Sequence, residues 1–129
     1  MLFRSPDVVV YVPSVTIWGR FEEVGPEEWA QGHDALVVQF AHLVKSVLPN
    51  MKAKGWARIV TIGSMAVRML HKQLPRAVPN TYRLAHLGLS KTIADEVGRF
   101  GIKGLDFRTE AQWDAYVAEQ KPDFDPTHD

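Results

Sequence analysis

The sequence predicts an α/β protein built on a mainly parallel sheet, and three observations support this. Two short runs, residues 7–12 and 58–62, are rich in β-branched side chains and lack polar alternation, which is typical of strands covered on both faces. A long stretch with apolar residues at helical spacing lies between these runs, and a second such stretch follows them. Strands that alternate with helices favour parallel pairing through helical crossovers.

Composition limits the classes of protein that fit this sequence. The chain has 129 residues, of which 46% are hydrophobic, and no cysteine. This length suits one domain, and the lack of cysteine excludes disulfides, thiolate nucleophiles and sulfur-ligated metals. We find no apolar run long enough to span a membrane and no leader peptide, so we expect a cytoplasmic protein with no membrane partner.

The charges are unevenly distributed, although the formal net charge is zero. No acidic residue lies between Asp34 and Asp95. One interpretation is a basic surface that attracts a ligand with a phosphate or carboxylate group. The other is that these cations pair with the acidic ends of the chain within the fold. Neutrality and the lack of a recognition motif argue against nucleic acid as a partner. The basic residues of the interval are Lys45, Lys52, Lys54, Arg58, Arg68, Lys72, Arg76, Arg83 and Lys91.

The first helix is predicted to begin at Pro26, because proline at the first helical position needs no amide partner. Glu27 and Glu28 then face the positive end of the helix dipole, which explains them more simply than an acid–base pair would. The apolar repeat extends this helix to residue 54. His33 and His42 lie nine residues apart on it, which is not the one-turn spacing of a helical metal site, so we expect no metal there.

Ser64 is the first candidate for chemistry. It follows the strand at 58–62, and ligands of open parallel sheets bind outside the carboxyl ends of the strands. The alternative is a serine that only starts a turn. A second helix is predicted at residues 81–100, capped by Asn80 or Thr81. Gly88 within this helix predicts close packing against another backbone, which would offset its cost in a helix.

The last part of the chain gives shorter signals. Residues 102–107 are predicted to form a further short strand. Thr109 and Gln112 have the spacing of a capping box, which predicts a last helix. An acidic tail broken by proline follows.

An ordered set of short motifs goes further than this element pattern. Taken together over residues 6–102, the motifs resemble the short-chain dehydrogenase/reductase family, and they are similar to its acyl-carrier-protein ketoreductase-like branch. The resemblance implies a partial Rossmann-like three-layer sandwich that lacks the N-terminal dinucleotide-binding half. It divides the chain into an α/β domain, residues 1–102, and a divergent C-terminal segment, residues 103–129. The motifs are Asp7-Val8-Val9-Val10, Glu27-Glu28-Trp29, Leu48-Pro49-Asn50-Met51, Arg58-Ile59-Val60-Thr61-Ile62-Gly63-Ser64 and Gly88-Leu89-Ser90-Lys91-Thr92-Ile93-Ala94-Asp95-Glu96.

The resemblance also implies catalytic candidates. In that family a serine after this strand polarises the substrate carbonyl, a tyrosine is the general acid and base, and a lysine four residues later lowers the tyrosine pKa. Ser64 matches the serine. Aligning Tyr82 with the tyrosine puts His86 at the lysine position, but it deletes three helical residues and turns later side chains by about 300°. The ungapped alignment, which we prefer, puts Pro79 and Arg83 at the two positions. The implied candidates are therefore Ser64, Tyr82 and Arg83.

Other positions depart from the family pattern. The family's Asn-Asn-Ala-Gly turn reads Tyr11-Val12-Pro13-Ser14 here. The asparagine expected on the long helix falls near Ala35 or Leu36. No Gly-x-x-x-Gly-x-Gly sequence occurs in the chain. The resemblance implies NAD or NADP as the cofactor, and it assigns no residue of this chain to bind the cofactor.

Three functions follow from these observations. The first is an NAD(P)-dependent oxidoreductase, or a truncated relative of one, that acts on a small-molecule carbonyl or alcohol. The second is a catalytically inactive binding module that forms a homo-oligomer through the helices at 26–54 and 81–100. The third is a cofactor-free lyase similar to the haloalcohol dehalogenases, which use serine, tyrosine and arginine. Against the third, Tyr82 and Arg83 are adjacent and point about 100° apart on a helix.

Overall fold

A computed structural model describes residues 6–13, 15–64 and 75–107, together with positions 111, 112, 115 and 118, which are helical. The basic residues Arg68 and Lys72, the predicted capping role of Thr109 and the acidic tail lie outside the described residues. None of the described helices is long and apolar enough to cross a membrane.

Three parallel strands form the sheet. The strands are β1 (Val8–Tyr11), β2 (Ala57–Ile62) and β3 (Ile102–Phe107), and they lie in the order β1-β2-β3. In register, Val9 pairs with Ile59 and Ile59 pairs with Gly104. The predicted α/β class, with a parallel sheet and a central second strand, is confirmed. The sheet continues beyond residue 102, and the division of the chain at that residue stays a prediction.

One continuous helical segment connects β1 to β2. It consists of α1 (Pro26–His33), a π-turn (Asp34–Val38) and α2 (Gln39–Lys54), so the bounds predicted for this helix are confirmed. The Glu28 carboxylate accepts a 2.9 Å hydrogen bond from the Gly25 N–H at its start. At its end, Gly55 adopts a left-handed φ of 73°, a conformation that glycine adopts without strain.

The helix between β2 and β3, α3 (Ala77–Val97), begins earlier than predicted. Asn80 and Thr81 were expected to cap it, but Arg76 is the residue before its first turn and they lie inside it. Pro79 is tolerated there because amides in the first turn have no intrahelical partner to lose. The Thr81 hydroxyl donates a 2.8 Å hydrogen bond to the Ala77 carbonyl instead of capping the helix.

Most of the described core lies on one face of the sheet. Residues of β1, β2, β3, α2 and α3 form a single buried cluster, which places both helical connections on the same side. Phe40 in this cluster is 1% exposed, and burying a side chain of this kind stabilises a fold by about 1.5–3 kcal/mol. The described helices thus supply one outer layer of the predicted sandwich. On the opposite face, Val8 and Val10 are 47% and 58% exposed.

Glycine allows close backbone contacts at positions other than the predicted one. The prediction for Gly88 was wrong, because no atom of the described residues lies within 4 Å of a Cβ built there. At Gly101, by contrast, a Cβ would fall against the carbonyl oxygen of Gly55. Gly101 also has a φ of 75°. The turn into β3 therefore requires glycine for space and for conformation.

We expect Gly101→Ala to lower the free energy of unfolding by about 1–3 kcal/mol, because the new methyl group meets the Gly55 carbonyl and the backbone is left-handed. Gly98→Ala is the matched control. A Cβ at Gly98 meets nothing within 4 Å and its φ is −56°, so we expect a gain of about 0.4–1 kcal/mol. Urea unfolding of both variants checks this, and equal effects at the two positions would contradict it.

Candidate functional site

Ser64 lies at the carboxyl edge of the sheet, as the sequence predicted. β2 ends at Ile62, and Ser64 is partly buried just beyond it. Because β1 and β2 are parallel, the segments that leave both strands reach this same edge, and α3 begins there. This edge of a parallel sheet is where ligands usually bind.

A short backbone pairing connects two segments at this edge. The Gly19 N–H donates to the Pro75 carbonyl at 2.8 Å, and the Ala77 N–H donates to the Gly19 carbonyl at 3.1 Å. The Arg76 guanidinium lies 4.6 Å from the centre of the Trp18 ring. The segment after β1 is thereby attached to the start of α3. No local sequence pattern marked Trp18 for this contact, and the only signal at Arg76 was its place in the interval without acidic residues.

Tyr82 lies on the side of α3 that packs against α1. Its ring centre is 6.0 Å from that of Trp29, edge to face, and 5.6 Å from that of His33. A Cβ at Gly32 would stand 3.0 Å from the Tyr82 ring, so the two helices are in close contact here. The structure therefore surrounds Tyr82 with aromatic side chains of α1.

Arg83 follows Tyr82 on α3 and is partly buried. Burial lowers the pKa of the Arg83 guanidinium, and the positive charge of Arg76 lowers it further. Neither arginine forms an ion pair with any residue in the described ranges. The structure thus brings Arg76 and Arg83 close enough to repel each other, at the opening of α3.

The π-turn is held by two side chains from distant parts of the chain. The Tyr11 hydroxyl donates a 2.8 Å hydrogen bond to the Ala35 carbonyl. The His86 Nδ1 lies 2.8 Å from the Leu36 carbonyl oxygen, and since a carbonyl only accepts, this nitrogen carries the proton. The π-turn includes the two positions at which the resemblance placed the family's asparagine. No local sequence pattern marked Tyr11 for this role.

His86 also packs within the aromatic core. It is 3% exposed, and its ring centre lies 4.3 Å from that of Phe40 and 5.6 Å from that of Tyr11. Burial raises the pKa of the Tyr11 phenol, and the charge of Asp34 adds to this effect. In the gapped alignment His86 stands at the family's lysine position, and here it bonds to the backbone of the π-turn.

The described residues do not fit the pyrophosphate of a dinucleotide. Pyrophosphate binds at a helix N-terminus that follows a glycine-rich turn. The first turn of α1 instead holds Glu27 and Glu28, which repel phosphate, and Glu28 already bonds the Gly25 N–H. The start of α3 carries Arg76 in place of such a turn. Nor do the described residues contain a group of three or more side chains that could hold a metal ion.

Comparison with known proteins places this geometry in a family context. No family model matches the chain. It is 28% identical over 103 residues to the D-beta-hydroxybutyrate dehydrogenase of Rhizobium meliloti (strain 1021), a match that covers 78% of this chain and 38% of that protein. The TT0495 protein from Thermus thermophilus is 28% identical, with a TM-score of 0.72, over 77% of this chain and 42% of its own. A short-chain dehydrogenase from Streptomyces avermitilis is 29% identical, with a TM-score of 0.68, and the match covers 78% of this chain and 37% of that protein.

Other solved structures share the fold at lower identity. A halohydrin dehalogenase is 22% identical with a TM-score of 0.67. An NADPH-bound short chain oxidoreductase from Pseudomonas aeruginosa PAO1, with an atypical catalytic center, is 18% identical with a TM-score of 0.73. In all of these comparisons the chain spans about half or less of the other protein's length.

Fold and site together define a Rossmann-like α/β protein whose candidate site lies at the carboxyl edge of a parallel sheet. The ordered motifs, the dehydrogenase relative and the similar structures identify it further. The chain is similar to members of the short-chain dehydrogenase/reductase family.

We expect Tyr11→Phe to lower the free energy of unfolding by about 1 kcal/mol near neutral pH, because the Ala35 carbonyl loses its donor. A phenol whose pKa is raised on folding contributes stability that is present below its usual pKa of about 10 and is lost as the pH rises through the raised value. The difference between the two proteins should therefore shrink above pH ~10. Urea unfolding at several pH values measures it, and a constant difference would contradict the assignment.

Proposed function

We propose that the chain forms the substrate side of an oxidoreductase site of the short-chain dehydrogenase/reductase type, which acts on a small-molecule carbonyl or alcohol in the cytoplasm. The observation that supports this most strongly is the position of Ser64, just beyond the central strand of a parallel sheet, within an ordered motif set. The D-beta-hydroxybutyrate dehydrogenase relative supports the same class of substrate, a small molecule with an oxidisable hydroxyl group.

In this proposal each candidate residue has a distinct role. The Ser64 hydroxyl donates a hydrogen bond to the substrate oxygen, which polarises a carbonyl. Tyr82 is the group that can give or take a proton. Arg83 stays protonated, because guanidinium groups do not deprotonate in proteins, so it holds negative charge near the site and cannot replace the family's general acid.

The cofactor is the part of the proposal with the least support from this chain. NAD or NADP is the cofactor class that the family implies, and NADPH is bound in one of the structures that share the fold. The described residues lack a pyrophosphate site, so we derive no step through the cofactor. Its binding is therefore the first measurement to make.

The oxidoreductase proposal requires a bound nicotinamide, so it predicts that NADH or NADPH fluorescence changes saturably when the chain is added, at cofactor concentrations up to ~1 mM, the upper end of usual KM values. The absence of saturation in that range with both cofactors would overturn the oxidoreductase proposal. A hydride reaction without a bound nicotinamide has no reductant.

We expect Ser64→Ala to lower kcat/KM for carbonyl reduction by about 10²–10³-fold, because one donor to the developing oxyanion is lost, while cofactor binding is unchanged. Ser46→Ala is the matched control. Its hydroxyl is exposed and donates to the Leu43 carbonyl on α2, so its kcat/KM should equal that of the wild type. An equal loss in both variants would contradict the role of Ser64.

A second candidate function is assembly, and specific surfaces favour it. Val8 and Val10 are exposed on the uncovered face of an edge strand, and Leu84 on α3 is 56% exposed. Exposed apolar groups of this kind favour association. In this proposal the helical segment at 26–54 and α3, predicted at 81–100 and observed at Ala77–Val97, pair with those of a second copy, and the chain binds without catalysing a reaction.

We expect light scattering to show a dimer and Leu84→Glu to weaken it by roughly tenfold or more, because a charge enters the apolar contact. Phe21→Glu is the control, since Phe21 is 77% exposed and lies in a turn outside both helices. A wild-type chain that is monomeric at all accessible concentrations would exclude this function.

The dehalogenase-like function has less support. A halohydrin dehalogenase shares the fold alone, and Tyr82 faces the aromatic side chains of α1 while Arg83 points about 100° away from it. Release of halide from a halohydrin by the purified chain is the measurement that would favour it.

A further inference from the structure

Two arginines near the start of α3 form an arrangement of which the proposed chemistry uses only Arg83. Arg76 is the residue before the first turn of α3, and Arg83 lies seven residues later. Seven residues is about two helical turns, so the two side chains project from nearly the same face of the helix. Both are partly buried, and the charge of Arg76 lowers the pKa of the Arg83 guanidinium.

Among the described residues no carboxylate forms an ion pair with either arginine, although partly buried cations normally have such a partner. Within the described ranges, the structure gives an ion pair to Lys54 with Asp7, at 2.6 Å, and none to Arg76 or Arg83. The Glu28 carboxylate of the neighbouring α1 bonds the Gly25 N–H. The Asp34 carboxylate accepts a hydrogen bond from the Gln39 amide. Positive charge therefore accumulates at this point.

The surroundings add positive potential and an apolar wall. The first turn of α3 contains no acidic residue and no side-chain cap, so the helix dipole adds to the two charges. The Trp18 ring lies against the Arg76 guanidinium at 4.6 Å, which holds that side chain in place. The backbone pairing of Gly19 with Pro75 and Ala77 fixes the segment that carries Trp18. These contacts orient Arg76 before any ligand arrives.

We propose that Arg76 and Arg83, with Trp18 behind Arg76, form a binding site for an oxyanion, and that the natural ligand is a small molecule with a phosphate or carboxylate group. Guanidinium groups bind both oxyanions through paired hydrogen bonds. The site lies at the same edge of the sheet as Ser64, so it would orient a substrate whose anionic end is separate from its reacting end. It does not depend on hydride transfer.

Thermal unfolding of the full chain tests this with inorganic phosphate and acetate as probes, at constant ionic strength. A ligand that binds only the folded state raises the midpoint in a saturable way. We expect this for the wild type. We expect Arg76→Gln and Arg83→Gln each to weaken phosphate binding by roughly tenfold, the effect of losing one charge-assisted contact.

Arg99→Gln is the control for total charge. Arg99 lies at the other end of α3, 4.6 Å from the Phe100 ring centre, and its replacement removes the same charge. Unchanged phosphate binding in Arg99→Gln supports a defined site. Equal weakening in all three variants, or no saturation with either probe, overturns the proposal. Tighter binding of phosphate than of acetate indicates a phosphorylated ligand, and similar affinities for the two probes indicate a carboxylate ligand. Both results support an oxyanion site.

A further variant separates a loss of binding from misfolding. Arg83→Lys keeps the positive charge and loses the planar fork, so we expect it to fold and to bind phosphate only a few-fold more weakly. Wild-type affinity in both Arg83→Lys and Arg83→Gln would remove Arg83 from the site. Phosphate binding without saturable NADH or NADPH binding would support this site while overturning the oxidoreductase proposal, so the two proposals fail separately.

Discussion

The parallel register of β2 between β1 and β3 is the constraint on which the rest of the structure depends. A parallel neighbour on each side fixes the register of β2. Because side chains alternate along a strand, the register decides which of the two sheet faces each residue of β2 occupies. Ala57 and Ile59 then face the helices and join the buried cluster. The same direction brings the ends of β1 and β2 and the start of α3 to one edge, where Ser64, Arg76 and Trp18 lie.

The contacts around the π-turn show how this chain keeps the fold although its residues at two family positions differ from the family pattern. A π-turn leaves backbone carbonyls outside the regular helical hydrogen-bond pattern. Tyr11 and His86 bond the carbonyls of Ala35 and Leu36, and both rings also pack on or near Phe40. The positions of the family's asparagine and, in one alignment, its lysine are thus used for backbone hydrogen bonding and core packing.

Local sequence signals predicted the elements that depend on nearby residues. The buried strand at 58–62 and the helix at 26–54 were predicted because β-branched runs, the proline at the helix start and the apolar repeat all act within a few residues. The start of α3 was predicted too late, since the Pro79-Asn80-Thr81 sequence resembles a cap and the pairing of Gly19 with Ala77 cannot be read locally.

Parts of the candidate site could not be predicted, because they depend on contacts across the fold. Tyr11 lies 24 residues from Ala35, and His86 lies 50 residues from Leu36, so nothing near the π-turn in the sequence indicates it. Ser64 was predicted because strand ends are visible in sequence. The long interval without acidic residues was a partial signal that basic side chains such as Arg76 and Arg83 gather on one surface. Their position on one helix face could be predicted only with the correct start of α3.

The exposed valines of β1 have a consequence for the way copies of this chain associate. Val8 and Val10 present an apolar strip on a four-residue edge strand, and exposed apolar surface of this kind favours contact between copies. Because four residues offer few backbone hydrogen bonds, this encounter favours loose, reversible clustering over ordered fibrils. Dilution and low temperature, which weakens apolar association, should therefore recover native chain from such clusters.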